Sequence, residues 1–367
     1  MHDSHPTSAP RPSADRSTPP FSGLVVLAAL VVAAAGLKTA SSIVGPVFLV
    51  LTLAITVHPL RTWMRKHRVP ALAATVVALL AVYVVLLVVL GSVVWCLVRL
   101  TTALLDYGPQ LAQLLTAALD RAAELGLSRA MLENAVSSLQ LSNFAGVAQQ
   151  VLNGLTSGLS LLALMLATVA FVVVDGSGFA ERLDALRGFR PRVADAFTDF
   201  ASSVRRYWVV TTIFGLAVAV LDVVGLEIIG VPLAFTWGLL AFVTNYIPNV
   251  GFLLGLVPPT LIALLENGPG SAVAVLVVYI VLNVVIQGLV QPRFTGDAVG
   301  LTGTVAFLSL IVWAFLLGAL GALLAVPATL FVKLLLVDHT RDGRWVGTLI
   351  SSTVPHPPPG RTPVNDS

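Results

Sequence analysis

A chain of 367 residues that is 57% hydrophobic and 11% charged has too little polar surface to coat a water-soluble particle, since soluble domains carry about 25% charged residues. A mean hydropathy of +0.93 and a net charge of only +3 leave no broad basic face, which excludes a cytosolic enzyme and a nucleic-acid-binding protein. The single cysteine, Cys96, lies inside an apolar run and excludes a disulfide-stapled secreted domain. What remains is an all-α, polytopic integral membrane protein.

In chain order, residues 1–22 are rich in Pro, Ser and Arg and read as a disordered tail, as do residues 351–367 with Pro355, Pro357, Pro358 and Pro359. The span between them, 23–350, reads as one transmembrane domain. The first apolar runs, 24–37 and 43–57, are each too short to cross comfortably and are read as a pair. The stretch Ala33-Ala34-Ala35-Gly36 leads directly into the second run, which argues against a cleaved signal. Runs 70–98 and 152–174 exceed the about 20 apolar residues a bilayer core requires. Runs 208–229 and 271–290 reach that length with polar interruptions.

Two later runs, 233–265 and 301–337, are too long for one span and are interrupted near their middles. The first carries Asn245-Tyr246-Ile247-Pro248-Asn249-Val250-Gly251, the second Gly318-Ala319-Leu320-Gly321. Pro and Gly break a helix or let the chain reverse, and paired broken segments point to re-entrant hairpins of a secondary transporter. Tips are expected at Pro248 and Gly251, and at Gly318 and Gly321. This makes about eight hydrophobic segments in all.

Charge placement sets the expected orientation. Residues 58–69 hold Arg61, Arg65, Lys66 and Arg68, and residues 175–206 hold Arg182, Arg187, Arg190, Arg192, Arg205 and Arg206. Both segments are expected in the cytoplasm, as are both termini. The intervening insert 99–150 balances its arginines with Asp106, Asp120, Glu124 and Glu133 and is expected outside. Its leucines recur at helical spacing, which suggests interfacial or homo-oligomer-facing helices, and 175–206 reads as a basic amphipathic helix pair.

Chemistry is sparse. No phosphate-binding Gly-rich loop and no His-Glu-x-x-His occur. His2, His5, His58, His67, His339 and His356 sit in tails or at run ends. No metal or cofactor site and no enzyme activity are expected, and Gly176-Ser177-Gly178 reads as a capping turn. The polar residues inside apolar runs are Asp222 and Glu227, Asn245 and Asn249, and the series Asn283, Gln287 and Gln291 at four-residue spacing. A carboxylate at the centre of a spanning helix costs about 2.5–3.5 kcal/mol and normally faces a cavity or a partner. Asp222 is therefore the candidate for coupling to an ion. Asn245, Asn249, Asn283, Gln287 and Gln291 are expected to line a path between the two hairpins, because amides can replace solute hydration without a buried charge. The competing reading makes the amides interhelical glue.

The last third of the chain resembles the autoinducer-2 exporter-like, or AI-2E, transporters. The resemblance rests on Asn245 to Gly251, then Val257-Pro258-Pro259, Gln291-Pro292-Arg293, Gly296, Val299-Gly300-Leu301, Phe307-Leu308-Ser309-Leu310-Ile311-Val312-Trp313 and Leu324-Ala325-Val326-Pro327. It implies a bacterial inner-membrane permease that exports a small polar solute or signalling molecule, with a proton or sodium as coupling ion. Sodium(cation)/proton antiport is the alternative, with Asp222 as the titrating group, and a non-transporting membrane scaffold is the second. Two departures stand out. Gln291 occupies a place where the family often has an acid, and Thr302-Gly303-Thr304 follows Gly300-Leu301 where the family has Pro.

Overall fold

A computed structural model describes residues 21–124, 144–248, 250–291 and 301–335, and helix dominates them with no strand among the described residues. Most of both Pro-rich tails, the rest of the outer insert, Asn249, and the motif residues from Pro292 to Gly300 lie outside the described residues. The elements are α1 (Phe21–Thr39), α2 (Ser41–Lys66), α3 (Ala71–Glu124), α4 (Phe144–Asp175), α5 (Phe179–Phe189), α6 (Pro191–Ile229), α7 (Ala234–Thr244), α8 (Gly251–Asn267), α9 (Pro269–Leu282), α10 (Gly303–Leu323) and α11 (Ala325–Lys333). The turn Gly176–Gly178 joins α4 to α5, and a π-helical segment, Asn283–Val290, continues α9.

Among the described residues, five helices are long and apolar enough to cross a membrane, or six if the bent pair Ser160–Asp175 and Phe179–Phe189 forms one span. Leu27–Thr39, Ala234–Thr244 and Gly251–Asn267 are shorter apolar helices. Large side chains such as Leu72, Phe171 and Ile228 face outward on these helices, which is the expected arrangement when the solvent is lipid.

Three helices run past the limits read from hydropathy. The run 43–57 looks too short to cross, yet α2 has 26 residues and continues through Pro59 to Lys66, so much of the expected cytoplasmic loop 58–69 is its last turns. Apolarity ends there before the helix does, because Arg and Lys finish a helix well where it leaves the membrane. Likewise α3 does not stop at residue 98. It runs unbroken for 54 residues, about 80 Å at 1.5 Å per residue, so the insert 99–150 begins as an extension of the span. The amphipathic start of the third, α6, and the span 208–229 are one helix that opens with Pro191 in its first turn, where the missing N–H costs nothing.

Packing divides into two apolar cores. One joins Leu49, Val50 and Leu53 of α2 with Val82 and Leu86 of α3, Met165 and Val169 of α4, Val204 of α6, and Leu324 and Leu330 of the last hairpin. The other joins Leu226 of α6, Trp237 and Ala241 of α7, Leu256 and Ile262 of α8, and Val275 and Tyr279 of α9. Helix α6 serves both.

The two long apolar runs are each broken. In the first, α7 and α8 pack antiparallel: the backbone of Gly251 lies directly on the Thr244 carbonyl and Gly255 on Ala241. In the second, α10 breaks at Gly318, whose φ is +67° and ψ −145°. This region is essentially restricted to glycine. The chain then folds back, so that Trp313 Nε1 donates to Thr329 Oγ1 across the hairpin at 3.0 Å. Thr302 caps α10: its hydroxyl accepts from the Val305 N–H at 3.3 Å.

Candidate functional site

The second core contains a small cavity where α6, the α7–α8 hairpin and α9 with its π-helical continuation meet. Its walls are Val218 and Asp222 of α6, Ala241 and Thr244 of α7, Asn245 at the tip, Gly251, Phe252 and Gly255 of α8, and Tyr279, Asn283 and Gln287. The free space is about 20 Å³, room for about one water. A larger solute requires these helices to part.

Asp222 is 1% exposed. Neither of its carboxylate oxygens has a hydrogen-bond partner, and the same holds for the Tyr279 hydroxyl on the facing helix. Among the described residues the only other buried side-chain polar atom so placed is Trp208 Nε1. Orphaned polar groups are costly and therefore rare, so two of them on one cavity mark a place built for something that supplies the missing partners. Asp222 is also within electrostatic reach of Tyr279.

The π-helical segment sets the amides. A stretch with i→i+5 bonding inside an α-helix is a recurrent feature of functional sites, and here it carries Asn283 and Gln287, both on the cavity wall. Gln291 lies one turn further along and is not on that wall. The series is thus read on a π-helical and not an α-helical face.

Asn245 is on the wall too, but it is not a free amide. Its Nδ2 donates to the Thr211 carbonyl of α6 at 3.2 Å and packs on Gly215. The neighbouring Tyr246 is held from both ends: Tyr207 donates to its carbonyl at 3.1 Å, and its own hydroxyl pairs with Thr212 at 2.8 Å. The hairpin tip is therefore pinned to α6. At the other end of the hairpin, Asn267 Nδ2 donates to the Gly230 carbonyl at 3.0 Å. Tyr107 on the extension of α3 hydrogen-bonds Glu266, and burial together with that carboxylate pushes its hydroxyl up to about 12. Tyr246→Phe should lower thermal stability in detergent by about 1 kcal/mol, the value of one such bond, and adding Thr212→Val should cost less than Thr212→Val alone, because the Tyr246 bond is then already gone while the Thr212 bond to the Trp208 carbonyl is lost in both.

Of the two hairpins between which a path is expected, only the first borders this cavity. No residue of α10 or α11 is on the cavity wall. The second hairpin packs instead in the first core against α2, with Phe331 beside Phe48 at 5.6 Å between ring centroids and beside Phe200 of α6 at the same distance. Its tip residues Gly318 and Gly321 are turn-forming groups remote from the polar cluster. Asp222, the candidate for ion coupling, shares a cavity with Asn245, Asn283 and Gln287. Tyr279 was missed by sequence reasoning, although its signal was present: it lies four residues before Asn283, on the same row.

The sequence as a whole places this helix bundle among known proteins. The sequence profile of the AI-2E family transporters matches residues 27–341. This chain belongs to the AI-2E family. It is 30% identical to the AI-2 transport protein TqsA of Escherichia coli K12 over 334 residues, covering 89% of this chain and 95% of TqsA. It is equally 30% identical to YhhT of the same organism over 347 residues, 93% of this chain and 96% of YhhT, a protein whose name says no more than transport. A Haemophilus influenzae transport protein is 29% identical over 336 residues, covering 88% of this chain and 94% of that protein. As an AI-2E family transporter, the chain is a multi-pass membrane protein that moves a small solute across a lipid bilayer.

Proposed function

We propose that this AI-2E transporter is a secondary-active exporter in the bacterial cytoplasmic membrane, with both termini in the cytoplasm, and that the Asp222 cavity handles its solute and its coupling proton. The observation that carries this reading is the pair of orphaned groups, the Asp222 carboxylate and the Tyr279 hydroxyl, on a cavity shared with Asn283 and Gln287. A membrane-embedded carboxylate without a partner is satisfied either by a proton or by donors on an arriving solute, and a group that exchanges one for the other couples their movements. The amides of Asn283 and Gln287 offer both donors and acceptors to a neutral polar molecule.

The cargo proposed is autoinducer-2 itself, from the likeness to TqsA over nearly the whole of both chains. That name gives a solute and not a cation, so solute export is carried forward over cation/proton antiport. In this closed conformation the cavity admits about one water. Access alternates when the α7–α8 hairpin moves against α6, breaking the Asn245 and Tyr246 contacts.

The test uses inside-out membrane vesicles from cells expressing the chain. Autoinducer-2 should accumulate when a proton gradient is imposed, and a protonophore should abolish the accumulation. No accumulation above that of vesicles lacking the protein would remove autoinducer-2 as cargo. Accumulation that ignores the protonophore would remove proton coupling.

A further inference from the structure

A second polar cluster lies away from the transport cavity, near the end of α2. Arg61 is only 8% exposed. Its Nε donates to the Thr75 hydroxyl at the start of α3, at 3.1 Å, and that hydroxyl is itself turned onto the Ala71 carbonyl. The charged groups that face the half-buried His58 are two guanidiniums, Arg61 one turn along α2 and Arg205 from α6. Two guanidiniums from two helices, those of Arg61 and Arg205, are thus within electrostatic reach of one imidazole, which burial and the two charges hold neutral. Among the described residues, no carboxylate is ion-paired with Arg61 or Arg205; the salt bridges between described residues join Arg187 to Asp184 and Asp195.

Gathering like charges in a half-buried site is unfavourable unless an anion is brought to it. Arg61 is pre-aimed, because Thr75 fixes the guanidinium through Nε and leaves its two terminal nitrogens as a fork, the geometry that matches a phosphate. The location fits as well. Trp63 beside it is 58% exposed, as an aromatic at a membrane–water boundary is, and Arg65 and Lys66 end the helix on the same side. Basic pockets between helices at that depth receive phosphate head groups.

We propose that Arg61, Arg205 and His58 form a binding site for a phosphate-bearing anion at the end of α2, of the kind presented by an anionic phospholipid head group and shared by free phosphate. The occupant bridges α2 to α6, and so ties the helix that carries Asp222 to the first core. It is independent of the solute carried.

The test uses the full chain purified in neutral detergent. Three probes are compared by native mass spectrometry and thermal melting: phosphatidylglycerol, phosphatidylcholine and inorganic phosphate. Phosphatidylglycerol should remain bound and raise the melting temperature, phosphatidylcholine should do neither, and Arg61→Gln or Arg205→Gln should weaken phosphatidylglycerol binding roughly tenfold or more. Arg61→Lys, which keeps the charge but loses the fork, should fall between. Should Arg61→Gln fail to fold, Arg205→Gln and Arg61→Lys carry the comparison. Displacement of the lipid by inorganic phosphate, with stabilisation by phosphate alone, identifies a soluble anion as the source. Stabilisation by phosphatidylglycerol only identifies the membrane. Equal retention of both lipids with no effect of phosphate, or undiminished phosphatidylglycerol binding by both glutamine variants, overturns the site.

Discussion

Asp222→Asn should lower the rate of gradient-driven export by roughly ten- to a hundredfold while the protein still folds and inserts. The substitution keeps the shape of the side chain and removes only its ability to gain and lose a proton. A hydrogen bond to a charged group is worth about 1.5–3 kcal/mol, and each 1.36 kcal/mol corresponds to about a tenfold change in rate. Folding should be spared because both carboxylate oxygens lack protein partners in the closed state, so no existing bond is lost. The same reasoning extends to Tyr279→Phe, which removes the second orphaned group on the cavity and should act in the same direction by a smaller amount. Initial rates in proteoliposomes at matched protein levels, with and without a proton gradient, give the answer. An Asp222→Asn protein with normal rate and normal response to the gradient would place Asp222 among residues that merely fill space.

Gly251→Ala should be one of the two most damaging glycine-to-alanine changes among the described residues, with Gly321→Ala, whose Cβ would meet the Trp313 carbonyl just as closely. A Cβ at this position would be driven into the Thr244 carbonyl, where backbone faces backbone and no flexible side chain can give way. Overpacking of this kind typically costs about 1–3 kcal/mol and sometimes more, and here the cost falls on the hairpin that walls the Asp222 cavity. Gly318→Ala is the instructive comparison. Nothing lies within 4 Å of its would-be Cβ, yet its φ is +67°, so the penalty is purely conformational at about 1–3 kcal/mol. Fluorescence-detected size-exclusion yields and melting temperatures should place Gly251→Ala below Gly318→Ala. Transport by any surviving Gly251→Ala protein should be lost, because the displaced α8 carries Phe252 and Gly255 off the cavity wall. A Gly251→Ala protein with wild-type yield and melting temperature would show that the α7–α8 contact yields more readily than its geometry indicates.

The composition alone determined that the chain is a helical membrane protein, because a sequence with 11% charged residues cannot cover itself in water. Chain order was also enough to find both breaks, since Pro248, Gly251, Gly318 and Gly321 act on the backbone locally and need no knowledge of neighbours. The polar residues Asp222, Asn283 and Gln287 were visible as candidates because each is expensive at membrane depth wherever it points. Which of them meet was decided by the tertiary structure alone. In a water-soluble helix, the polar face shows which side is buried. A helix such as α10 or α9 is apolar all round, lipid and protein interior being equally apolar, so its sequence does not record which face touches what. For that reason the sequence does not record that the second hairpin packs on α2 and lies off the cavity wall, and Tyr279 passed as one more aromatic in an apolar run. Helix ends failed for a related reason: α2, α3 and α6 continue beyond their apolar stretches because helical hydrogen bonding does not stop where hydropathy does. Only the packing of α6 against α7 and α9, with α8 set against both of those, brings one carboxylate, one phenol and the amides onto a single cavity.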